Sequence, residues 1–172
     1  MFKFAKPLAL CLCMLAITLG ANAAAKTDTP AQNFLGKWQL DKKKTAESVA
    51  APGNLMQEIK PKDGKLLIKS QYDQPKNGMY PLVWLGIMVE QFTLNPDGSE
   101  TVNDIGPFRH VSKTTLEGNK MTTTWNATIE NGTIDGQWIR TLSSDGKEMT
   151  MQVLSKASDG RNFDSTVVFH KK

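Results

Sequence analysis

The sequence predicts an antiparallel all-β domain behind an export signal. Three observations carry this: a three-part N-terminal leader, turn-forming dipeptides at near-regular spacing, and an apolar face that stays continuous when strands are paired through those turns. Strands of this kind form a meander, closed as a barrel or folded as a sandwich.

The leader begins with the basic residues Lys3 and Lys6, continues through the apolar stretch Leu8 to Leu19, and ends in Gly20-Ala21-Asn22-Ala23. That order reads as a signal peptide over residues 1–23, cleaved after Ala23, with Ala23-Ala24-Ala25 offering a second site two residues on. The apolar stretch is shorter than the roughly 20 residues that span a bilayer, and no later segment approaches that length, so no membrane anchor is expected. Cys11 follows Leu8-Ala9-Leu10, but a Leu rather than a small residue precedes it and most of the apolar stretch lies after it, which argues against lipidation. Cys11 and Cys13 are the chain's two cysteines, so the mature protein is expected to have no disulfide and no cysteine metal site.

Without Lys3 and Lys6, the chain's 21 basic residues become 19 against 17 acidic ones. A net charge of +2 gives no reason to expect a nucleic-acid partner, and the run Lys42-Lys43-Lys44 reads as a solvated loop. The lysine-bearing leader and its Ala-x-Ala site look bacterial, which places the protein in the periplasm or outside the cell. Asn126-Ala127-Thr128 and Asn131-Gly132-Thr133 match the N-glycosylation pattern and are accordingly expected to be unmodified.

Residues 24–33, small and polar with one proline, read as a flexible lead-in. The domain is then 34–172, long enough to bury about two thirds of the unfolded chain's surface in one unit. Turn signals fall at Asp63-Gly64, Pro75 to Gly78, Asp97-Gly98, Gly118-Asn119, Asn131-Gly132, Asp145-Gly146 and Asp159-Gly160. They place early strands near 36–41, 56–62, 65–73, 84–95 and 99–105, and five longer strands after them. One short helix is predicted within 43–51, ended by Pro52-Gly53.

Strand registers follow from the turns. A two-residue Gly118-Asn119 turn sets Leu116, Thr114, Ser112 and His110 opposite Met121, Thr123, Trp125 and Ala127. A two-residue Asn131-Gly132 turn sets Ile129, Ala127, Trp125, Thr123 and Met121 opposite Ile134, Gly136, Trp138, Arg140 and Leu142, with the two tryptophans as direct partners. A three-residue Ser158-Asp159-Gly160 loop sets Ser155, Val153, Met151 and Met149 against Phe163, Ser165, Val167 and Phe169. An even-length loop at Asp145-Gly146 keeps this face continuous, so five strands agree on an inside.

The first strand reads Phe34-Leu35-Gly36-Lys37-Trp38-Gln39-Leu40-Asp41. With a meander of this length behind it, the Phe-x-Gly-x-Trp-x-Leu opening resembles the lipocalin and fatty-acid-binding (calycin) superfamily, most of all the small exported lipocalin-like proteins of bacteria. The resemblance implies an up-and-down barrel of eight to ten strands, with Gly36 and Trp38 marking its start and the Trp packing across its closed end. It implies a small apolar or amphipathic ligand inside the barrel. Two departures stand out: no arginine follows the last strand to cover the Trp, and the Arg-x-Tyr pair of fatty-acid-binding proteins is absent.

Familiar catalytic patterns are missing: no Gly-x-Ser-x-Gly elbow, no His-Glu-x-x-His pair, no phosphate-binding glycine loop. His110 and His170 are far apart in sequence, so neither a metal site nor a cofactor is expected. Most aspartates belong to turns. The candidate binding residues are the polar and aromatic groups that the registers place inside, namely Arg140, Thr123, Thr114, Trp125, Trp138 and His110. A buried guanidinium must be paired. It could anchor an acidic ligand, stack on Trp138 or Trp38, or reach a structural carboxylate. The expectation is therefore a non-enzymatic binding protein; the alternatives are a barrel filled by side chains that serves as an interaction module, with no protein partner named, and a hydrolase or isomerase using Arg140 and His110.

Overall fold

The computed structural model describes residues 30–45, 54–73, 90–105 and 108–172. The signal peptide, residues 24–29, most of the predicted helix, the turn at 75–78 and the first part of the strand predicted near 84–95 lie outside the described residues. Ten strands are present: β1 Gly36–Leu40, β2 Met56–Lys62, β3 Lys65–Gln71, β4 Gln91–Leu94, β5 Glu100–Ile105, β6 Phe108–Glu117, β7 Lys120–Ile129, β8 Gly132–Leu142, β9 Glu148–Ala157 and β10 Asn162–Lys171. They form one antiparallel 10-stranded sheet in the order β4-β3-β2-β1-β10-β9-β8-β7-β6-β5. Every sequential pair except β4–β5 is hydrogen-bonded, and β10 returns to β1, so the sheet is an up-and-down barrel.

Its two edges, β4 and β5, meet through side chains instead of a ladder. Asn103 Nδ2 donates to the Thr93 carbonyl at 2.9 Å while its Oδ1 accepts from the Thr93 N–H at 2.8 Å, reproducing a strand's paired bonds with one amide. The Thr101 hydroxyl accepts from the Asn95 N–H at 3.0 Å. Edge groups that would otherwise template pairing with another chain are thereby satisfied along this stretch.

Alternation of burial sets the inside. In β7 the buried residues are Met121, Thr123, Trp125 and Ala127, and in β9 they are Met149, Met151 and Val153. One end of the barrel is plugged. A 3-10 turn over Pro30–Phe34, which takes in the last residues of the expected lead-in, buries Phe34 beside Trp38. Trp38 Nε1 donates to the Phe34 carbonyl at 2.9 Å. Lys171 Nζ lies 5.1 Å from the centroid of the Trp38 ring. A lysine of the last strand thus supplies the cation that the missing arginine would have placed there. At 43–51, the described part is a turn in which Lys44 and Thr45 both donate to the Asp41 carbonyl.

The β6–β7 and β9–β10 registers are as predicted: Ser112 faces Trp125, Thr114 faces Thr123, and Val153 faces Ser165. The β8–β9 loop is even, with Leu142 facing Met149. The β7–β8 register is shifted by two residues from the prediction. Ile129 pairs with Gly132, so the turn is Glu130-Asn131, Trp125 faces Gly136, Thr123 faces Trp138 and Met121 faces Arg140. A two-residue shift leaves every side chain on its predicted face, so the apolar pattern does not distinguish the registers. Space decides between them. The Trp125 ring lies where a Cβ on residue 136 would be, 2.1 Å from its Cζ2, and only glycine leaves that room. Trp125 and Trp138 are therefore diagonal neighbours rather than direct partners, with ring centroids 5.5 Å apart. Gly132 likewise sits against the Ser158 hydroxyl, 2.1 Å from where its Cβ would be.

Candidate functional site in the barrel interior

All six candidate residues are buried: Arg140, Thr123, Thr114, Trp125, Trp138 and His110. They come from β6, β7 and β8, and the shifted hairpin changes their grouping. Thr114 and Thr123 share a level with Trp138 instead of Arg140, and their hydroxyls bond each other at 2.9 Å. That pair is self-satisfied. Arg140 sits one step toward the plugged end, between Met121 on β7 and Met151 on β9.

Arg140 is 0 % exposed, and none of its Nε, Nη1 and Nη2 atoms has a hydrogen-bond partner. Its flanking methionines are poor acceptors, and among the described residues no carboxylate reaches it. Its sole described attraction is the Trp138 ring, 5.5 Å from Cζ to centroid. Burial lowers the guanidinium to about 10, which leaves it charged at neutral pH.

His110 is 3 % exposed and stacks against two indoles, 5.1 Å from Trp125 and 5.3 Å from Trp138. Both of its nitrogens lack partners, as do Ser112 Oγ and Trp125 Nε1. Burial lowers the imidazole to about 4, so it is neutral at pH 7. Phe92 packs on Trp138 at 5.4 Å and closes this aromatic group from the β4 side. The site is thus one cation and a set of neutral donors and acceptors, joined through the Trp138 ring.

Sequence reasoning put Ser112 on the inner face but did not count it as a candidate, and it missed the role of Gly136 in seating Trp125. Strand alternation held the signal for the first. A glycine inside an otherwise unbroken strand, the usual mark of a close approach, held it for the second.

No protein-family model and no curated protein matches the chain. Among solved structures it is similar to a secretory abundant heat soluble protein from Ramazzottius varieornatus, with a TM-score of 0.47 and 12% identity over 81% of this chain and 96% of the other. It is also similar to secretory abundant heat soluble protein 4 of the same organism, with a TM-score of 0.43 and 12% identity over 80% and 94% of the two chains. At that identity no functional residue passes from those proteins to this one.

Proposed function

We propose that this chain is an exported carrier whose barrel holds a small anionic amphiphile. The acid group binds Arg140 and the apolar body lies among the surrounding methionine and aromatic side chains. One observation supports this above all: a fully buried guanidinium with three nitrogens and no acceptor. An uncompensated buried charge costs several kcal/mol, and stacking on an indole returns only about 0.5–2 kcal/mol of it. A carboxylate or similar anion would supply charge-assisted, paired hydrogen bonds to the guanidinium's donor fork. The export half of the reading rests on residues 1–23, and on the Ala-x-Ala site for a periplasmic or extracellular destination. The reading assigns no catalytic step: His110 is neutral, and among the described residues no carboxylate orients it.

Titration of dodecanoate and dodecanol into the native protein and Arg140→Met tests this. Methionine keeps much of the volume and removes the charge. Charged hydrogen bonds contribute about 1.5–3 kcal/mol, so dodecanoate should bind about ten- to a hundredfold more weakly to the variant, with dodecanol little changed. The ligand-free variant should melt no lower than the native protein, because an unpaired charge has been removed. The filled-barrel alternative draws on the full burial of Trp38, Trp138, Phe34, Phe92 and Phe169. It requires the opposite result: a lower melting temperature for Arg140→Met, and no binding of either compound.

A further inference from the structure

We infer that the ligand carries, besides its acid group, a neutral hydroxyl that is received by His110, Ser112 and Trp125. This deepens the carrier reading and rests on it. Four polar atoms on three neighbouring side chains are buried without a partner: His110 Nδ1, His110 Nε2, Ser112 Oγ and Trp125 Nε1. Ser112 and Trp125 face each other directly across β6 and β7, and His110, two residues before Ser112, stacks on Trp125 at 5.1 Å with the ring planes at 26°. The four atoms therefore belong to one patch of the inner wall.

The chemistry of the patch selects its occupant. A neutral imidazole donates through one nitrogen and accepts through the other, a serine hydroxyl does both, and an indole N–H only donates. The set has no net charge, so it does not match a second acid group, and its mixture of donors and acceptors suits a hydroxyl, which also does both. Ring geometry excludes a flat ligand slipped between the aromatics. His110, Trp125 and Trp138 already press on one another, with all three centroid distances between 5.1 and 5.5 Å. Trp125 Nε1 and the two imidazole nitrogens point from ring edges, where an oxygen can bond in the ring plane.

Position fixes the order of the two groups. Arg140 lies near the plugged end, next on the inner face of β8 to Leu142, whereas His110 is near the start of β6 at the opposite end. Trp138 touches both, with the guanidinium carbon 5.5 Å and the imidazole 5.3 Å from its ring centroid. The guanidinium carbon and the imidazole are thus no farther apart than those two distances laid end to end. The acid group goes in first and the hydroxyl sits behind it, so the ligand class is a hydroxylated long-chain carboxylic acid whose two polar groups fit that span.

The experiment titrates dodecanoate and its monohydroxy positional isomers into the native protein, Ser112→Ala, Trp125→Phe and His110→Phe, with melting curves for each. At least one isomer is expected to bind the native protein about tenfold more tightly than dodecanoate, the worth of one well-made buried hydrogen bond. Each variant should lose most of that preference, and Ser112→Ala, which leaves the aromatic side chains in place, should hold dodecanoate within about threefold of native. Ser112→Ala removes one atom group and keeps the stacked rings, so it serves if the aromatic variants fail to fold. Dodecanoate binding as tightly as every isomer overturns the hydroxyl site and leaves the carrier reading standing. Failure of all the acids to bind overturns both.

Discussion

Trp38 and Trp138 are both fully buried indoles with a basic side chain over the ring, at 5.1 Å for Lys171 and 5.5 Å for Arg140. Their cations live in different solvents. Lys171 is exposed at the barrel's end, keeps its hydration and also reaches the Asn33 carbonyl. Arg140 has given up water entirely and received no acceptor in exchange. The Trp38 N–H is itself bonded to the Phe34 carbonyl. Around Trp138 the guanidinium, the imidazole, Ser112 Oγ and Trp125 Nε1 all lack partners. One motif therefore serves as a cap at the plugged end and recurs inside, where we propose it as half of a recognition site.

The largest effect expected from this contrast is on the cap. Trp38→Ala removes a fully buried indole and its bond to Phe34, and large-to-small changes of that kind cost about 3–5 kcal/mol. Denaturant unfolding should show that loss. Under conditions where the variant stays folded, its affinity for dodecanoate should be near native. A variant of native stability that no longer bound the acid would break the division between cap and site.

Next in size is the pH dependence of the interior. The His110 imidazole is lowered from 6.5 to about 4 by burial. In the unfolded chain it takes up a proton below about 6.5, and in the fold only below about 4, so the unfolded state binds more protons in that window. The stability is fully present above pH 6.5 and is lost as pH falls toward 4, by about 3 kcal/mol at 1.36 kcal/mol per unit. The turn carboxylates of Asp97, Asp145 and Asp159 are also lowered by their local hydrogen bonds, but they act below the carboxylate range. Unfolding measured between pH 7 and 5 isolates the histidine. His110→Phe should flatten that part of the curve; an equal slope in the variant would show that His110 is not the group responsible.

How much of this was legible beforehand depends on which interactions decide each feature. The inside of β6 to β10 was readable because a one-residue slip would have exposed Met121, Met149 and Phe169 together. The β7–β8 pairing was not, because sliding by two residues keeps the same faces and the Asn131-Gly132 dipeptide imitates a turn that the chain makes one residue earlier. Gly132 and Gly136 are there to let Ser158 and the Trp125 ring approach, and contacts of that kind are not local in sequence. Arg140 was correctly placed inside by alternation alone. Its lack of a partner could not be read at all, since that depends on what Met121, Met151 and Trp138 leave around it. The cap was half legible: Gly36 and Trp38 marked its position, but the Lys171 contact arises only when β10 pairs with β1, far away in sequence.

The smallest effect, and the one that sharpens the comparison most, belongs to Lys171. If its role is to cover Trp38 while its charge stays in water, then Lys171→Met should cost only about 0.5–1 kcal/mol, the value of a solvent-exposed cation on an aromatic face. Lys171→Arg should restore it, since a guanidinium stacks on an indole at least as well. Salt should reduce the difference between lysine and methionine, because exposed charges are screened over about 10 Å at ordinary ionic strength. Arg140→Met is expected to go the other way, with ligand-free stability held or raised and insensitive to salt, because its charge is cut off from ions. Melting curves of the two methionine variants at low and high salt make the comparison directly. Opposite signs support one cation–indole pair built for stability and another held ready for an anion; two losses of similar size would make both pairs structural and remove the main physical support for a ligand inside the barrel.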